Sequence, residues 1–157
     1  MTTREAIKAL LAEACPGWVV TYEASRLMNV NAQALPSDAR FIYIEEFTTG
    51  KFLRPVGRPG KTSRTKVQIY FCKFLPEGAS NTPINRAGSA DSPAERREAI
   101  REEIVRDAVE PLLDAFARAT AFINQPSEIP FAYPVPRFAD GEVSVLIELD
   151  VQMNVVC

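Results

Sequence analysis

The chain contains no histidine. That removes the side chain most often used as a general base near neutral pH, the usual partner of a nucleophilic serine or cysteine, and the commonest transition-metal ligand. Cysteine is scarce. Cys15, Cys72 and Cys157 are odd in number, far apart and form no CxxC pair. A disulfide framework or a zinc site is therefore not expected, and a reducing compartment is. No stretch approaches the roughly 20 apolar residues needed to span a bilayer. Arg4, Glu5, Lys8 and Glu13 interrupt the apolar residues of the N-terminus before they reach signal-peptide length. The formal net charge of −2 gives no general attraction to nucleic acid or an anionic membrane. These absences point to a protein that stays in the compartment where it is made, carries no metal or cofactor and performs no catalysis.

What is present is enough for one globular domain over residues 1–157. Hydrophobic residues make up 46% and charged residues 24% of the chain, a balance that supports a buried core. Twelve prolines imply several long connections. Thr2-x-x-Glu5 is a capping box, and Ala6, Ile7, Leu10, Leu11 and Ala14 follow at helical spacing, so a first helix is predicted over 3–14 and is ended by Pro16-Gly17. Trp18 to Glu23 is β-prone, and 24–37 is ambiguous. Arg40–Thr48 and Thr65–Leu75 read as buried strands joined by a glycine-, proline- and cation-rich connection, the pattern of a long hairpin with a projecting arm. A loop over 76–92 leads to Ser92-Pro93-x-Glu95, a strong helix start. Ile100, Ile104, Ala108, Leu112, Ala115, Phe116, Ala119 and Phe122 or Ile123 then form one stripe over about eight turns, with Pro111 expected to kink or split it. After a proline-rich stretch and an Asp140-Gly141 turn, seven alternations from Val143 to Val155 specify a strand with one buried face. The expected fold class is α+β: a mostly antiparallel sheet, a long Pro-kinked helix with the N-terminal helix packed on it, and a basic β-hairpin arm.

The arm is the most unusual segment. Residues 51–66 carry Lys51, Arg54, Arg58, Lys61, Arg64 and Lys66 with no acid, so the segment is +6 and the remainder of the −2 chain is −8. An acidic body with a basic arm suits contact with a neighbouring acidic surface, in a homo-oligomer the next subunit; phosphates of nucleic acid are the alternative partner. A solvated hairpin tip guarded by charge is the plain alternative. Gly57, Gly60, Lys61 and Thr62 are spaced too closely for a phosphate loop. Glu45 and Glu46 are adjacent in a strand and are expected on opposite faces, whereas Glu148 and Asp150 share one, most simply as a solvated face. Cys72, among Tyr70, Phe71 and Phe74, is expected to be a buried, inert thiol. Phe131, Tyr133 and Phe138 lie among prolines, where packing on the core is the commoner use of such residues and gripping a partner the rarer one.

The order of elements resembles one group of proteins. A capped N-terminal helix, strands joined by a long basic hairpin, a long helix, and the closing segment DGEVSVLIELDVQMNVVC are together similar to the tail-terminator and tail-completion proteins of long-tailed bacteriophages and prophages. The resemblance is one of layout over the whole chain, strongest at Asp140–Asn154. It implies a small α+β structural protein that forms rings, often hexameric, at the end of a tail tube. Such a protein would contact itself and tail-tube or head-completion proteins, in the host cytoplasm during assembly and then in the virion tail. The group has no catalytic residues to carry over.

Overall fold

Two strands of thirteen residues each organise the molecule. In the computed structural model, which describes residues 1–23, 40–54, 60–74, 93–123, 126–134 and 142–155, β4 (Thr62–Phe74) pairs antiparallel with β6 (Glu142–Asn154) along their whole length, from Thr62↔Asn154 to Phe74↔Glu142. The alternation read in the sequence is the cause. Val143, Val145, Ile147, Leu149, Val151 and Met153 all point to one face and are buried, and Val67, Ile69 and Phe71 of β4 lie beside them.

On the other side of β4, β2 (Arg40–Glu45) pairs antiparallel, and β1 (Val19–Glu23) adds to β2 in parallel. A short β3 (Lys51–Leu53) pairs with the start of β4, and a two-residue β5 (Phe131–Ala132) pairs with β6. The result is a six-stranded, mostly antiparallel sheet in the order β1-β2-β4-β6-β5, with β3 on β4 beyond the end of β2. The strand expected over Arg40–Thr48 stops at Glu45. From Ile44 to Lys51 the chain advances seven positions while its partner advances five, from Ile69 to Arg64. The two extra residues bulge out of the ladder. β4 in turn starts earlier than expected, at Thr62, because β3 and β6 pair with it on both sides.

The helices cover one face. α1 (Thr3–Ala14) opens with the expected capping box: the Glu5 N–H donates to Thr2 Oγ1 at 3.2 Å, and the Thr2 N–H donates to Glu5 Oε2 at 2.7 Å. It stops where Gly17 adopts φ +84°, a conformation suited to glycine. The long helical run comprises α2 (Pro93–Ile104), a π-helical turn (Val105–Val109) and α3 (Glu110–Arg118). The interruption expected at Pro111 takes the form of that wide turn. Proline offers no N–H, and its ring crowds the carbonyl four residues back. One turn widened to i→i−5 bonding, with the Glu110 N–H on Val105 O, admits the ring and lets the helix continue. The Cys15 thiol donates to the Ala108 carbonyl in this turn at 3.5 Å and so joins α1 to the long run.

Ile7, Leu11, Ile104, Ala108, Leu112 and Phe116 bring these helices onto Ile42, Ile44, Ile69, Phe71 and the buried row of β6 in one core. The helix stops at Arg118, short of the expected stripe end, because Ala119 turns to an extended conformation; Phe122 beyond it is still buried in this core, and Ile123 is exposed. Lys73 on β4 closes the α2 side with an ion pair to Glu103 at 2.9 Å. The ambiguous 24–37 segment, the 76–92 loop, the Ser92 cap and the Asp140-Gly141 turn lie outside the described residues.

This packing sets a clear contrast. Ile147→Ala should lower unfolding free energy by about 2–5 kcal/mol, because it deletes buried methyl groups at the centre of the sheet. Ile123→Ala, at an exposed position, should stay within about 0.5 kcal/mol. Urea unfolding of the two variants beside the parent chain reads both.

Candidate functional site

The sheet face turned away from the helices changes character along its length. At one end Phe41, Tyr43, Tyr70 and Cys72 are buried, with Phe74 and Leu146 packed against them. Towards the other end the same face continues as Gln68, Lys66, Arg64 and Thr62 of β4 beside Glu148, Asp150, Gln152 and Asn154 of β6.

Charges on this polar half are paired across the two strands. Arg64 Nε donates to both carboxylate oxygens of Asp150, at 2.9 and 3.0 Å, and Nη2 donates to Oδ2. Lys66 Nζ lies 3.3 Å from Glu148 Oε1, and Gln152 Nε2 donates to Thr62 Oγ1 at 2.9 Å. Each β4 side chain reaches the β6 residue two positions off its register partner, a diagonal contact that the twist of the strands favours. The Arg64 guanidinium, through its hydrogen bond, holds the Asp150 carboxyl below its ordinary value. Glu148 and Asp150 thus share a face as expected. They are charge partners for two of the six arm cations.

Of the remaining described arm cations, Lys51 borders this ladder beside Arg64, and Arg54 and Lys61 lie beyond it. β3 lies against β4 as Lys51↔Arg64, Phe52↔Ser63 and Leu53↔Thr62, and the Val155 N–H donates to Lys61 O at 2.9 Å on the β6 side. The base of the arm is therefore three strands wide, β3-β4-β6, rather than a simple loop. Lys51, Arg54 and Lys61 are exposed on it, and Phe52 between them is 75% exposed. Arg58 lies outside the described residues. Sequence reasoning counted the cations of this segment and passed over Phe52, although an aromatic flanked by Lys51 and Arg54 is itself a surface signal.

Between the bulge and the ladder is a shallow cleft of about 320 Å³, lined by Thr49, Gly50, Lys51, Arg64, Lys66 and Asp150. Gly50 is needed for the close approach: a Cβ there would stand 3.1 Å from Arg64 O and from Thr65 Oγ1. A second hollow of about 280 Å³ adjoins it, and Glu45, Glu46 and Glu148 all line it. Glu45 and Glu46 were expected on opposite faces. They border one hollow because β2 has ended at Glu45, so strict alternation no longer governs Glu46.

The cysteines are placed as structural thiols. Cys72 is fully buried and burial pushes its thiol well up; burial likewise pushes Cys15 up to about 11. Cys157 lies outside the described residues. Burial also pushes the Tyr43 hydroxyl up to about 12. Among the described residues, no three of Cys, Asp and Glu gather as a metal-ligand set, and no helix is long and apolar enough to cross a membrane.

The aromatic cluster near the prolines departs from expectation. Phe131 is 66% and Tyr133 47% exposed, with ring centroids 5.4 Å apart. They are not core residues because β5 is the sheet's edge. Pro130 and Pro134 bracket it and leave room for only a two-residue pairing with β6. Phe138 lies outside the described residues.

No protein-family model matches the chain, and a search of curated proteins returns no match.

The ladder has a pH signature. Pairing lowers the folded pKa of Asp150 beneath its unfolded value, so its contribution is complete above the unfolded value and fades as pH falls through the folded one. Asp150→Asn should therefore be less stable than the parent at pH ~7, with the gap narrowing progressively as pH falls below the ordinary aspartate value of ~4. Denaturant midpoints across that range provide the measurement; an unchanged gap in acid would contradict the pairing.

Proposed function

We propose that the protein is a structural assembly subunit of a phage or prophage tail, a ring-forming terminator or completion component that acts through protein–protein contact and does no chemistry. The observation that carries this reading is Phe52, 75% exposed on a strand between Lys51 and Arg54. Exposed large aromatics beside arginine are the composition of contact surfaces rather than of solvated tips. The arm is also stiffened for such a role. Arg64 and Lys66 hold its base to Asp150 and Glu148 of the same chain, and Arg54 and Lys61 remain exposed. The layout similar to tail terminators and the −8 carried by the rest of the chain fit a partner of the same kind: another copy, a tail-tube protein or a head-completion protein.

A nucleic-acid-binding module using the arm is the competing function. The internal pairing of Arg64 and Lys66 counts against it, because these cations already face carboxylates. Phosphate binding would have to come from Lys51, Arg54, Arg58 and Lys61 within an acidic protein.

Light scattering of the full chain in moderate salt, alone and with tail-tube protein, tests the proposal. It should show assemblies larger than one chain in at least one condition, and Phe52→Ala should reduce them. A strict monomer in both conditions would remove the proposal. Salt-sensitive binding to duplex or single-stranded DNA, lost on Arg54→Ala with Lys61→Ala and unaffected by Phe52→Ala, would put the nucleic-acid function in its place.

A further inference from the structure

We infer that the arm of one copy docks on the exposed aromatic strip Phe131–Tyr133 of a second copy, with Phe52 against the two rings. The inference rests on the assembly function proposed above and names the surface the arm meets.

The strip is built as a contact surface. Phe131 lies on the edge strand β5, whose outer side has no strand partner among the described residues, and Tyr133 follows directly after it. The guanidinium of Arg101 stands 4.9 Å from the centroid of the Tyr133 ring and holds that ring in place. A pair of large rings kept open to solvent on a rigid edge is costly unless a partner covers it. Phe52 is the one other aromatic ring among the described residues with comparable exposure.

Geometry assigns the two surfaces to different copies. The strip joins β6 at Ile147 and Leu146, whereas Phe52 on β3 pairs with Ser63, which is level with Met153 and lies on the far side of β4 from the strip. At a rise of about 3.4 Å per residue, the six positions from Ile147 to Met153 separate them by about 20 Å along the sheet, and three strand spacings of about 4.8 Å add to that across it. An arm cannot fold back on its own strip. The contact therefore runs between copies, arm to strip, and where its rotation closes it generates a ring.

Backbone and charge fit as well. Pro130 and Pro134 leave three residues with N–H groups between them, and β3 is three residues long, so the two edges match in length. Glu128, three residues before Phe131, and Glu98, one helical turn before Arg101, are both exposed and place acids on two sides of the strip. Arg54, exposed two residues after Phe52, supplies the arm's nearest cation.

Sedimentation velocity on two variants and their mixture tests this. Phe52→Ala removes the arm's ring and leaves the strip intact; Phe131→Ala with Tyr133→Ala does the reverse. All three positions are exposed, and circular dichroism verifies that the variants remain folded. In low salt each variant alone should sediment as a monomer, and an equimolar mixture should form a 1:1 complex and nothing larger, since only one docking contact can form. Glu128→Lys should weaken association of the otherwise unchanged chain. If the strip variant associates as the parent does while Phe52→Ala does not, the strip is the wrong surface and the assembly function stands. A mixture that stays monomeric also overturns the docking. A parent chain that never associates, alone or with tail-tube protein, overturns both.

Discussion

The pairing of β4 with β6 is the constraint on which the rest of the molecule depends. Thirteen residues of each strand are in register, and the register is fixed by burial: a slip of one residue would turn the row from Val143 to Met153 out of the core. On the helix side that row receives α2, and α1 packs beside α3 and β1 in the same core. On the opposite side the same register sets Arg64 within reach of Asp150 and Lys66 within reach of Glu148. One hydrophobic pattern thus decides which face is core and which charges meet, and it carries the base of the arm out as an extension of the sheet.

That extension gives the arm its character. A sixteen-residue basic connection would be a mobile tether if only its ends were held. Here β3 and the end of β6 flank β4, and two of its cations are tied to the body. The part left to act is small: one exposed ring and the cations around it. Preorganisation of this kind lowers the ordering cost of forming a contact, so a short arm can make a specific one. The wide turn before Pro111 and the bulge after Glu45 are further places where a local irregularity serves the sheet and its cover. The first lets the helix run on from β6 to pack against α1, and the second lets the chain leave β2 and return to β4 as β3.

Much of this was legible in the residues. Thr2-x-x-Glu5, the alternation from Val143 to Met153 and the Ile104–Phe116 stripe each specify their element locally, and the structure places them as the sequence predicts; Val155 lies past the end of β6 and is half-buried. The bulge was not legible, because two extra residues between Ile44 and Lys51 have meaning only against the five-residue advance of β4. The internal pairing of Arg64 and Lys66 was hidden for the same reason. Their partners are more than eighty residues away in sequence, and only the β4–β6 register brings them together. The exposure of Phe131 and Tyr133 was misjudged from their aromatic character, when the flanking Pro130 and Pro134 already marked an edge strand.

We propose that this chain assembles head to tail through the arm, whose base is held between β3 and β6. Electron microscopy of the full chain in low salt, with and without tail-tube protein, tests it most directly. The account predicts closed rings of one size in which every subunit makes the same arm-to-neighbour contact. Particles that remain single chains in both conditions, or two-fold pairs joined arm against arm, would contradict it.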